Sequence, residues 1–331
     1  LKSIFDIKTK QEFLDVALTT FRYQYRNIEV YRKFVDYLNI DVEAIRSIEK
    51  IPFLPIEMFK NHQILDKNIS TDLYFQSSGT TQMNLSKHFI ANENIYQESI
   101  YKSFEQFIGK PEDFIFLGLL PSYLEKQNSS LIYMVDYLMK KSNKPENGYF
   151  LYNHEDLFKL LNKLKDKKII LFGVSFALLD FLDYCHSERS EESLNSLKNL
   201  VVIETGGMKG RKEEITKDEL LKILQNGFKT DKIYSEYSMT ELLSQAYSLG
   251  ENVYECPKWM RVLIRNVEDP FSYETAGKTG AINIIDLANI HSCSFIATQD
   301  LGKLLTEDEK KFQVLGRIDH SDIRGCSLLV S

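Results

Sequence analysis

Proline and tryptophan are scarce in this chain of 331 residues, at 7 and 1, and cysteine occurs 4 times. Cys185, Cys256, Cys293 and Cys326 stand far apart with no CxxC pair, which excludes a sequence-legible zinc site or disulfide framework. Reduced thiols in a cytoplasmic protein follow as the expectation. No apolar run approaches the roughly 18–20 residues that cross a bilayer, so no membrane span is expected. The opening "LKSIFDIKTKQEF" lacks the apolar centre of a signal peptide. A dense basic block is also missing, and 41 Lys+Arg against 47 Asp+Glu leave a net charge of −6. That balance argues against nucleic acid as the partner, since phosphate backbones need a concentrated cationic face. The six histidines, His62, His88, His154, His186, His291 and His320, form no HxxxH or HExxH spacing, so a histidine metal site is not expected.

What is present is a full-sized hydrophobic complement, 43% of residues, in a length that suits roughly two domains or one large one. Trp259 and the Tyr/Phe-rich segments read as core. Residues 9–50 read as helical, with Phe13, Leu14, Ala17, Leu18 and Phe21 on one face and a capping box at Thr9 and Glu12. "IPFLPIEMFK" (51–60), with two prolines three apart, reads as an extended connector, and 91–109 as a helix stopped by Gly109. "DFIFLGLLP", "KKIILFG" and "NLVVIETGG" are short apolar runs that alternate with helical segments, the pattern of βαβ units around a largely parallel sheet. From about residue 252 short strands follow one another with little helix between them. The expected fold is α/β: a body over 1–250, with helices flanking largely parallel strands, and a smaller β-rich subdomain over 251–331.

Five segments carry candidate chemistry, each with a plain alternative. "LYFQSSGTT" (73–81) sets four hydroxyls around one glycine after a strand. It could cradle an anion with Lys87 adding charge, or be a simple Ser/Thr turn; the Walker spacing is absent. "IETGGMKGR" (203–211) places paired glycines after a buried strand, for a ligand's close approach or for a strand-to-helix turn. "YSEYSMTELLSQAYS" (234–248) puts Thr240 and Glu241 at an expected helix start, suited either to magnesium and phosphate or to capping. In "TQDLG" (298–302) and "GRIDHSDIRGCSL" (316–328), Asp300 and Arg317 could hold a sugar and a phosphate, or take part in turns.

In this order the five segments resemble the adenylate-forming superfamily, which activates carboxylic acids as acyl-AMP. Within it, "IPFLPIEMFK", "FQSSGTT", "ETGGMKGR", "ATQDLG" and "GRIDHSDIRGCSLLV" resemble the acyl-protein synthetases, the family that includes the long-chain-fatty-acid ligase of bacterial luminescence. The resemblance runs from about residue 50 to the end and implies the N-terminal-domain fold of that superfamily. It assigns Ser77, Ser78, Gly79, Thr80 and Thr81 to the ATP phosphates, and Gly206, Gly207 and Met208 to the adenine and the acyl carboxylate. Tyr237, Thr240 and Glu241 match the segment that holds the nucleotide, with Glu241 the magnesium contact. Asp300 matches the ribose-binding aspartate, Arg317 the arginine on the nucleotide side, and Asp319 the hinge. The chain ends shortly past Asp319, so the superfamily's C-terminal lid domain with its catalytic lysine is expected to be absent. Lys87 and Lys209 are the candidates for neutralising the α-phosphate in its place. Ser238 stands where the superfamily has glycine.

The implied reaction uses ATP and Mg²⁺, makes acyl-AMP from a carboxylic acid (a fatty acid by the resemblance), and passes the acyl group to a protein thiol. Cys326, near the C-terminus, is the candidate thiol, with a small buried residue on a last strand as its alternative. An acyl-accepting protein or a reductase is the partner such chemistry calls for. Two rival readings stay open: an acid–CoA ligase of the phenylacetate type, and a catalytically weak nucleotide- or acyl-binding subunit of a larger complex.

Overall fold

The computed structural model describes residues 3–77, 85–121, 128–187, 197, 199–206 and 215–318. Ser78, Gly79, Thr80, Thr81, Gly207, Met208, Lys209, Asp319 and Cys326 lie outside the described residues.

The capping box forms: Thr9 Oγ1 accepts from the Glu12 N–H, and the Glu12 carboxylate accepts from the Thr9 N–H, opening α1 (Lys10–Asn27). The helical expectation over 9–50 needs correction beyond that point. Ile28 turns extended (φ −108°, ψ 103°), a separate helix α2 (Glu29–Tyr37) follows, and only 3₁₀ turns occur between there and residue 50. The break has a tertiary cause. Gln24, buried near the end of α1, donates to the carbonyls of Asn289 and Ile290 and to Ser294 Oγ, each at 3.0 Å, which fixes that end of the helix on a distant loop. The expected connector at 51–60 contains a two-residue strand, β1 (Leu54–Pro55), and a single helical turn, α3 (Met58–Asn61).

A hairpin of β2 (Tyr74–Gln76) and β3 (Lys87–Phe89) brackets the hydroxyl-rich loop. Then come α4 (Glu93–Phe107), β4 (Ile115–Leu119), α5 (Ser130–Ser142), β5 (Gly148–Phe150), α6 (His154–Lys163), β6 (Ile169–Val174), α7 (Ser175–Ser187), β7 (Leu200–Thr205), α8 (Lys217–Phe228) and β8 (Ile233–Tyr237). β5, β4, β6, β7 and β8 are all parallel. Every residue of β4, β6 and β7 is buried, as expected for strands covered by helices on both faces.

At β8 the sheet changes sense. β9 (Ala246–Ser248), β10 (Tyr254–Glu255), β14 (Lys311–Arg317), β13 (Phe295–Leu304), β12 (Thr279–Asp286) and β11 (Met260–Arg265) continue it antiparallel, and β1 adds in parallel to β13. The β-rich segment is therefore hydrogen-bonded to the α/β body in one twelve-stranded sheet. The link is narrow, because β10 is two residues long and bonds to β9 and β14 through two residue pairs each. Buried side chains of both parts belong to one hydrophobic cluster.

Candidate active site

The site lies at the carboxyl ends of the parallel strands β7 and β8, where β8 pairs with the first antiparallel strand, β9, the kind of place where open α/β sheets take ligands. β7 ends in Thr205 and Gly206, and Gly206 has φ +71°, the left-handed region open to glycine. β8 ends in Tyr237, whose ring packs against Tyr254 and Phe312 with centroids 5.7 and 5.5 Å away. Tyr237 Oη donates to Asp300 Oδ2 at 2.8 Å, and Arg317 Nε donates to Asp300 Oδ1 at 3.3 Å. Asp300 sits in the middle of β13, directly opposite Arg317 on β14. The turn alternative for Asp300 is thereby overturned. A bulge between Leu301 and Gly302 sets this register. Gly302 is required for it, because a Cβ there would run into the Gln313 carbonyl of the neighbouring strand. Burial raises the Tyr237 phenol well above its ordinary value, with Asp300 adding to the effect, so the phenol stays a donor.

The helix expected at Thr240 and Glu241 does not form; residues 238–245 are a turn between β8 and β9. Side chains from far along the chain bind its backbone instead. Asp286 Oδ2 accepts from the N–H groups of Leu243 and Ser244 at 2.7 and 3.0 Å. His88 Nδ1 lies 2.9 Å from the Thr240 carbonyl oxygen, and Asn289 Nδ2 donates to the Glu241 carbonyl at 2.8 Å. His88 Nε2 in turn lies 2.9 Å from Asn289 Oδ1. The capping role for Thr240 falls with the helix.

Glu241 itself is buried, and burial raises its carboxyl above the ordinary range, opposed by a hydrogen bond with Ser86 and by the Arg317 guanidinium. Ser86 belongs to the stem of the hydroxyl-rich loop, where its N–H donates to Ser77 Oγ at 3.1 Å and its carbonyl accepts from the Ser77 N–H. Ser77 and Glu241 are thus joined through one residue. Lys87 points away from His88 on β3, exposed, with its ammonium 5.1 Å from the centre of the Tyr74 ring.

Among the described residues no lysine or arginine is in ion-pair contact with the buried Glu241 carboxylate, an arrangement suited to a cation. Among the described residues no group of three His, Cys, Asp or Glu could hold a metal.

Beneath these residues lies a charged network that the sequence motifs did not single out. Glu204 of β7 takes hydrogen bonds from Ser175 Oγ and from the Lys217 ammonium, and is 1% exposed. Burial opposes the charge on Lys217, but the Glu204 carboxylate and Tyr254 outweigh it and hold the ammonium ionised. The available signal was a glutamate inside the apolar run "VVIET". Ser86, His88 and Asn289 carried no signal, since their partners lie across the fold.

No curated protein matches the sequence at a significant level. Among solved structures, 2-hydroxyisobutyryl-CoA ligase in an open conformation with 2-HIB-AMP and CoA is similar, with a TM-score of 0.71 and 11% identity over 94% of this chain and 70% of that one. ATP-bound MatB from Rhodopseudomonas palustris is similar with a TM-score of 0.54 and 14% identity, over 86% of this chain and 52% of that one. At these identities the likeness shows the fold. Among the described residues no helix is long and apolar enough to cross a membrane. The family model for LuxE acyl-protein synthetases matches residues 123–331, well over half of the sequence, and the chain belongs to that family.

Proposed function

We propose that the protein activates a carboxylic acid with MgATP and passes the acyl group to a protein thiol. The observation that carries this reading is the convergence of Tyr237, Glu241, Asp300 and Arg317 at the end of β8, with Ser77 tied to Glu241 through Ser86. Asp300, fixed by Tyr237 and Arg317, binds the ribose diol, and Arg317 faces the nucleotide beside it. Gly206, with Gly207 and Met208, passes close to the adenine and the acid's carboxylate. Ser77 to Thr81 hold the phosphates. Thr240 and Glu241 sit beside the α-phosphate on a turn locked by His88, Asn289 and Asp286. Bound magnesium would be held by Glu241 and supply positive charge to the phosphate oxygens.

The acid's carboxylate oxygen attacks the α-phosphorus, the bond to the β-phosphate oxygen breaks, and pyrophosphate leaves. The site's contribution is positioning and electrostatic neutralisation. A thiolate then attacks the acyl carbonyl and AMP leaves. Burial pushes Cys185 and Cys293 up to about 12, and Cys256 higher still, so these three are poor nucleophiles. This supports Cys326 as the acceptor. The acid is a fatty acid on the family's pattern, and the reaction is cytoplasmic.

ATP–pyrophosphate exchange with a panel of carboxylic acids tests the reading. Acid-dependent exchange that disappears in Glu241→Ala is the expected result. Absence of exchange with every acid, in protein that still binds ATP, would favour a binding subunit. Radiolabelled acyl groups then identify the acceptor. Label on the protein that is lost in Cys326→Ala, with exchange retained, supports transfer to that thiol. Label appearing only on added CoA points to the CoA ligase instead.

A further inference from the structure

Tyr237 and Glu236 are consecutive on β8, so they project to opposite faces of the sheet. Tyr237 faces the nucleotide side. Glu236 faces α4, and its surroundings are incomplete. It is 5% exposed, Thr205 Oγ1 donates to its Oε2 at 2.5 Å, the Ser238 side chain is a further hydrogen-bonding neighbour of the carboxyl, and among the described residues its Oε1 has no partner within normal hydrogen-bond geometry. Tyr247, its register partner on β9, is 1% exposed, and its hydroxyl is also unpartnered. Gln245 lies two residues earlier, at the end of the turn that leads into β9, and is 1% exposed. Its Nε2 donates to the Leu243 carbonyl, and its Oε1 has no partner. Buried polar atoms in folded proteins are almost always paired, so unpaired ones on neighbouring strands and the turn beside them call for an occupant. The wall opposite is aromatic: Tyr96 of α4 stacks on Tyr133 at 5.3 Å and meets Phe75 at 5.5 Å, while Tyr247 packs against Phe104 and Phe107.

We propose that Glu236, Gln245 and Tyr247 form the polar end of the acid pocket and select an acid whose chain carries a hydrogen-bond donor, a hydroxyl or an amine, over the plain acid of equal length. This rests on the acid-activating reading above. Its grounds are place and chemistry. The three groups stand at the carboxyl end of β8, beside Gly206 and one residue from the nucleotide-facing Tyr237. Two of the three unpaired atoms, Glu236 Oε1 and Gln245 Oε1, are oxygens suited to a donor. A plain alkyl chain would leave them unpaired, which is how a hydrogen-bonding pocket rejects an analogue that lacks the group.

The test is exchange kinetics with straight-chain acids and their hydroxy- and amino-substituted counterparts along the chain. A substituted acid is expected to exceed its plain counterpart in kcat/KM by about tenfold or more at one substitution position. Glu236→Val should reverse that preference. Glu236→Gln, nearly the same shape, should keep a preference for hydroxyl and lose one for amine. Equal or better use of plain acids by the wild-type protein overturns the inference and leaves acid activation standing. So does an unchanged preference in both variants, the result expected if buried water alone fills the gap. No exchange with any acid overturns both.

Discussion

His88 Nε2 and Asn289 Oδ1 lie 2.9 Å apart, joining the hairpin that stems the hydroxyl-rich loop to the segment after β12. The Asn289 amide is fixed in orientation because its nitrogen donates to the carbonyls of Glu241 and Cys293. Both imidazole nitrogens therefore face oxygen acceptors, yet the ring is fully buried and burial holds it near a pKa of about 4, against the pull of those two contacts.

A histidine held below its unfolded value of about 6.5 gives a definite sign. Its contribution to stability is complete above pH 6.5 and shrinks as pH falls towards 4, because the unfolded chain takes up the proton first. The full effect is about 3 kcal/mol. Urea denaturation of wild-type and His88→Gln protein at several pH values isolates it. The stability difference between the two should fall across that window and stay level from pH 7 to 8.

Asp300 accepts from Tyr237 and Arg317 together, so its loss should be felt by the nucleotide more than by the fold. Asp300→Ala is expected to raise the KM for ATP about tenfold or more, the scale of a charge-assisted hydrogen bond. Tyr237→Phe leaves Arg317 in place and should cost less. Initial-rate exchange over a range of ATP concentrations reads both.

Lys217→Met would leave the Glu204 carboxylate buried without its cation. Removing one partner of a buried pair costs about 3 kcal/mol or more, whereas replacing both is often close to neutral. Glu204→Gln combined with Lys217→Met should therefore recover much of the stability that the single lysine change loses. Chemical denaturation of the three variants decides it.

Cys185, Cys256 and Cys293 are buried thiols with raised pKa values. Iodoacetamide at neutral pH should label all three slowly in the native protein and rapidly in denaturant, as followed by peptide mass spectrometry.

The sequence made local rules legible where they operate alone. Thr9 and Glu12 announced the start of α1, and the uninterrupted apolar runs of β4, β6 and β7 announced parallel strands. It failed where distant groups decide the local structure. "MTELLSQ" has the composition of a helix start, but Asp286, His88 and Asn289 take up its backbone groups and hold it as a turn. The same holds at Ile28, where Gln24 anchors the end of α1 to residues 289–294. Asp300 and Arg317 could be singled out as a type of residue in a type of motif. Their pairing across two strands depends on a bulge that no local pattern marks.

The two-residue strand β10 has a mechanical consequence. Few backbone bonds hold the parallel and antiparallel parts of the sheet together there, and much of the fastening is done by side chains: the Tyr237, Tyr254 and Phe312 rings, and the Tyr237 hydroxyl on Asp300. The proposed nucleotide site is thus also the seam of the molecule. A nucleotide lying across it would work as a rivet, adding its own contacts to those that already join the two sides.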